Sequence, residues 1–134
     1  MKTHHNESIC LFQDKVSELL LRHHSILDSI SKLVESAVRV NRAITKAVTD
    51  CGCVSINAHK QQIPPDITLE SYKKYLTTHL EGTLCENCRE IIEEEIGNQL
   101  FYLAAVCNIL GFKLENIVDC EHERLNALGI FRLS

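Results

Sequence analysis

A chain of 134 residues, 45% of them apolar and with no tryptophan, is long enough to bury one aliphatic core. Its net charge of −4 gives no domain-wide basic field, so a nucleic-acid partner is not expected. No stretch approaches the roughly 20 apolar residues that span a bilayer, and "MKTHHNESIC" has no apolar run behind its lysine, so no membrane segment or secretory signal is expected and the expected location is cytoplasmic.

From residue 6 to residue 50 the chain has neither Gly nor Pro. Apolar residues recur there at helical spacing, from Ile9, Phe12, Val16 and Leu19 to Leu33, Ala37, Val40 and Ile44. One helix over that whole run would be about 65 Å long, too long for a compact domain of this size. "RHHSILD" supplies the break, because Ser25 with Asp28 three residues on resembles a capping box. The prediction is a first helix over about Ser8 to His23 and a second over about Ile26 to Thr49, ended by Gly52. His23 and His24 then mark the first helix's C-terminal turn, and His4 and His5 belong to a flexible terminus.

"CGCVSINAHKQQIPPDIT" has no sustained period and reads as loop. Thr68 can cap a short helix, "LESYKKYLTTHL", stopped by Gly82. A long helix follows over about Glu86 to Leu110. Ile92, Ile96, Leu100, Leu103, Cys107 and Leu110 fall on one stripe of its wheel, which makes Cys107 a small core residue. A last helix over about Leu114 to Ala127 ends at Gly129, and the tail "IFRLS" is expected to dock. The fold class is all-α, an antiparallel helical bundle of four to five helices.

The most specific chemical feature is a pair of cysteine motifs among the seven cysteines. Cys51-x-Cys53 closes the second helix and Cys85-x-x-Cys88 opens the fourth. In an antiparallel bundle those ends lie side by side, and four thiolates can converge as a structural zinc site. The helix N-terminus favours the thiolates of Cys85 and Cys88. His59 or His79 can stand in for one thiolate. The alternatives are a redox dithiol at "CENC", which belongs in a βαβ context that this chain lacks, and unliganded cysteines. Cys10 and Cys120 carry no functional signal.

"EEEIGNQLFYLAAVCNILGFKLENIV" resembles the second metal-binding helix of MazG-like proteins, members of the all-α nucleoside triphosphate pyrophosphohydrolase superfamily. The likeness rests on Glu94, Glu95, Gly97, Leu100, Phe101, Tyr102, Leu103, Leu110, Gly111, Leu114 and Glu115. It covers about 26 residues closely and the rest weakly. The resemblance implies a single MazG-like helical domain over residues 1–134 with a Cys-rich insertion at about 50–90. It also implies a homo-oligomer, dimer or tetramer, and a nucleotide ligand. In that family, acids from two helices hold the magnesium that carries a triphosphate for attack by water. Carried onto this chain, the catalytic positions are Glu35, Glu95 and Asn98. Asn98 stands where the family has an acid, and "KLVESAVRV" has Ser36 and Arg39 at the other two acid positions. A cationic Arg39 opposes magnesium rather than attracting it. As a plain helix feature, Glu35 and Arg39 are an i,i+4 pair. Arg39, Arg42 and Lys46 lie on one arc of the second helix and can meet a phosphate or form a solvated face. Two readings follow. One is a pyrophosphohydrolase relative with a degenerate magnesium site. The other is a non-catalytic, zinc-stapled helical module for protein interaction or nucleotide sensing.

Overall fold

The long N-terminal run without Gly or Pro breaks where the capping signal predicts. The computed structural model describes residues 3–21 and 24–129, with side chains from residue 7 onward. Helix α1 is Thr3–Leu19 and α2 is Ile26–Lys46. The first helix starts earlier than expected, taking in His4 and His5, and stops before the second histidine pair. The Leu21 N–H donates to the Leu19 carbonyl at 2.9 Å, a three-residue turn through which no helix continues. His24 therefore lies beyond the helix, while His23 and the tail at 130–134 lie outside the described residues.

The second helix ends in a widened turn. Ala47–Cys51 is π-helical, and the Gly52 N–H donates to the Ala47 carbonyl, five residues back, at 2.9 Å. Next come β1 (Val54–Ile56), α3 (Leu69–Tyr72) with a single 3-10 turn at Lys73–Tyr75, and β2 (Leu80–Gly82). The two strands pair antiparallel, Val54 facing Gly82 and Ile56 facing Leu80. This ribbon corrects the expectation that segment 51–68 is loop alone. Strands of three residues are too short to show a period of two. The helix expected to run to Leu80 is also cut short. The hydroxyls of Thr77 and Thr78 accept from the backbone N–H groups of His79 (3.1 Å) and Leu80 (3.2 Å), drawing that backbone away from helix. Thr68 caps α3 as predicted, its Oγ1 accepting from the Ser71 N–H at 3.3 Å.

Helix α4 is Glu86–Leu110 and α5 is Leu114–Leu128, in agreement with the sequence. Between them Gly111 has φ 76°, and the Gly111 and Phe112 N–H groups donate to the Asn108 (3.3 Å) and Cys107 (2.8 Å) carbonyls. This is a Schellman turn, which needs the left-handed conformation that glycine adopts without strain. The architecture is all-α apart from the ribbon. Among the described residues no single helix is long and apolar enough to cross a membrane.

The chain forms two compact units, one of Met1–Arg39 with Glu95–Ser134 and one of Val40–Glu94. The Cys-rich segment belongs to the second. The core of the first unit joins Val16 and Leu20 of the N-terminal part to Ala104, Ala105, Cys107 and Leu114. Beside it Gln13 ties α1 to the α4–α5 turn. Its Nε2 donates to Asn108 Oδ1 (2.9 Å) and to the Phe112 carbonyl (2.7 Å), and its Oε1 accepts from the Leu114 N–H (2.8 Å). Truncation strands the buried Leu114 N–H and two partly buried acceptors, so Gln13→Ala is expected to lower unfolding free energy by about 2 kcal/mol. Urea denaturation followed by circular dichroism measures it.

The predicted apolar stripe of α4 is only partly core. Ile92 and Cys107 are buried, but Ile96, Leu100, Leu103 and Leu110 are more than one-third exposed. In the first unit Leu27 (71%), Val34 (66%) and Val38 (59%) of α2 are also exposed. A groove of about 460 Å³ runs between Leu33, Val34 and Ala37 on one side and Ile96, Leu100 and Leu103 on the other.

Candidate metal centre

The ribbon positions the two cysteine motifs. The widened turn ends at Cys51, Gly52 takes φ 75°, and Cys53 leads into β1. Strand β2 leads through Leu84 to Cys85, which opens α4. Pairing Val54 with Gly82 brings both motifs to the same end of the ribbon. The approach is close: a Cβ on Gly82 would stand 2.7 Å from the Cys53 carbonyl oxygen, so only glycine fits there. Ala47, Val54, Cys88 and Ile92 form the small core beneath.

Among the described residues, Cys51, Cys53, Cys85 and Cys88 are the one set of three or more His, Cys, Asp or Glu side chains that converges, with all four Sγ atoms within 4.8 Å of one another. Cys51 Sγ and Cys85 Sγ are 3.8 Å apart. A tetrahedron with Zn–S bonds of about 2.3 Å has S–S edges of about 3.8 Å. The donor set and spacing therefore fit a four-coordinate metal such as zinc. His59 and His79 pair with each other instead, ring centroids 5.2 Å apart, and His79 Nε2 lies 3.4 Å from Gln61 Nε2.

The electrostatics of the cluster suit a cation. The Cys88 backbone N–H donates to Cys85 Sγ at 3.4 Å, as expected where a thiolate opens a helix. That bond, with the Cys88 thiol, brings Cys85 down to about 7. Cys88 is pushed up to about 12, first by the neighbouring Cys85 sulfur and then by desolvation. One thiolate in so small a cluster disfavours the next. Metal uptake near neutral pH must therefore expel protons. Metal affinity is expected to rise with pH and to weaken as pH falls through 7, where Cys85 also takes up a proton. Calorimetry in buffers of different ionisation enthalpy should show the release, with apparent Kd changing about tenfold per pH unit for each proton expelled.

The carboxylate positions are arranged differently. Arg39 Nε lies 3.1 Å from Glu95 Oε2 and 3.4 Å from Oε1. Glu35 is held by Lys32 Nζ at 3.1 Å, with an Arg39 nitrogen at 3.9 Å. Arg39 thus engages both acids. Glu94 is exposed and Asn98 half-buried. Arg42 and Lys46 are exposed on α2. Lys46 helps line a small cleft of about 210 Å³ into which Cys51 and Cys88 face. Sequence reasoning missed this cleft because the widened turn that shapes it has no marker in composition. Compared with protein-family models, curated proteins and solved structures, the chain matches none of them.

Proposed function

We propose that this chain is a non-catalytic helical module on a MazG-like scaffold, stapled by one zinc ion at Cys51, Cys53, Cys85 and Cys88. The convergence of four sulfur atoms within 4.8 Å carries the reading. Four protein ligands leave no open position for a reacting water, so the metal's role is structural. The Arg39–Glu95 contact at 3.1 Å argues against magnesium-dependent hydrolysis, because magnesium requires free hard oxygen donors. Elemental analysis of protein purified without a histidine tag tests the staple: about one zinc per chain is expected, and folded, metal-free protein would refute it. Incubation with nucleoside triphosphates and magnesium or manganese is expected to yield no pyrophosphate, and turnover would restore the pyrophosphohydrolase reading.

The module's partner is a second copy of the chain. Leu27, Val34 and Val38 with Ile96, Leu100 and Leu103 leave an exposed apolar face on the order of 600 Å², at the upper end of what isolated monomers expose. That approaches the roughly 800 Å² per partner of a standard interface. The charges nearby, Lys32, Glu35, Arg39 and Glu95, are already paired within the chain, so two like faces meet without net repulsion.

A further inference from the structure

Three observations around the sulfur cluster point past a permanent clasp. Cys51 is exposed while Cys88 is buried. The cleft of about 210 Å³ opens onto Cys51 and is also lined by Lys46 and Asn87, side chains that can donate hydrogen bonds to a peroxide oxygen. Cys51 and Cys85 belong to different motifs, yet their sulfurs touch at 3.8 Å. A disulfide needs about 2.05 Å, so the two sulfurs have about 1.8 Å to close.

We propose that Cys51 and Cys85 form a hydroperoxide-reactive disulfide site that exchanges the metal clasp for a covalent one. This rests on the zinc staple proposed above. The Cys51 sulfur attacks the outer oxygen of a hydroperoxide. The O–O bond breaks, the alcohol (water, for hydrogen peroxide) departs, and Cys51 carries a sulfenic acid. The Cys85 sulfur then attacks the Cys51 sulfur, the S–O bond breaks, and the oxygen leaves as water. Two metal-bound thiolates lose two electrons in total, one hydroperoxide gains them, and two protons from solvent complete the alcohol and the water. With two of its four donors consumed, the site releases the ion, whose valence is unchanged. The new bond still joins the end of the widened turn to the start of α4.

The experiment uses the full chain carrying Cys10→Ser and Cys120→Ser, which leaves the buried Cys107 as the one thiol outside the cluster. Zinc is counted first, and stoichiometric hydrogen peroxide is then added. Released zinc is followed with a chromophoric chelator, and disulfides are mapped by non-reducing peptide mass spectrometry. The expected result is loss of two thiols per zinc released, a Cys51–Cys85 linkage, and recovery of zinc binding after a thiol reductant. Retained zinc with intact thiols, a link confined to Cys85–Cys88 or Cys51–Cys53, or overoxidation alone would overturn the proposal. Absence of zinc before peroxide is added would overturn the staple itself, and with it this inference.

Discussion

With zinc held as proposed, stripping it with a strong chelator is expected to unfold the Val40–Glu94 unit, with loss of the β1–β2 ribbon. The reason is how little else holds it. Its buried apolar cluster is Ala47, Val54, Cys88 and Ile92, and one of those is a proposed ligand. Each strand contributes only three residues, and an isolated two-stranded hairpin is at best marginally stable in water. Structural zinc contributes about 10–16 kcal/mol in small sites near neutral pH, and that binding free energy acts as folding free energy. Cys88→Ser should act like chelation, because it leaves three sulfurs and a buried hydroxyl. Hydrogen exchange read by mass spectrometry checks both. Amides at 54–56 and 80–82 should lose protection, whereas those around Val16, Ala104 and Ala105 should keep it. Unchanged protection of the ribbon after complete metal removal would show that the sulfurs are not what holds it.

The second large effect concerns the apolar face of the first unit. Val34→Glu should convert the proposed dimer to a monomer at micromolar concentration. Val34 is 66% exposed in the single chain, so the change costs the monomer little. In the dimer the same carboxylate would be desolvated without a partner, at about 3 kcal/mol or more, which weakens association at least 100-fold. Leu100→Glu, across the groove, should behave alike. Sedimentation velocity of wild type and variants decides it, with circular dichroism confirming that helicity is kept. A wild-type chain that sediments as a monomer at high concentration would show that a different partner covers this face.

The sequence made some parts legible because single residues punctuate them. Gly111 ends α4, Thr68 caps α3, and the two cysteine motifs announced their convergence through spacing and position. The ribbon was hidden, since Val54–Ile56 and Leu80–Gly82 are too short for their pattern to differ from loop. The helical wheel found the apolar stripe of α4 but not its fate. A wheel gives direction and says nothing of what lies opposite, so Ile92 and Cys107 are covered while Ile96 and Leu100 between them are not. The acids show a related gap. Glu35, Arg39 and Glu95 could be matched to family positions one at a time, but that the guanidinium grips Glu95 across two helices is a fact of three dimensions.

The widened turn at Ala47–Cys51 has a genetic corollary. A π-helical turn is what one extra residue in an α-helix produces. Deleting a single codon within it would restore regular winding and rotate Cys51 by about 100° about the axis, swinging its sulfur away from Cys85. Indels here would thus erase metal affinity while every cysteine remained in the gene, so a tally of cysteines would misjudge which variants keep the clasp.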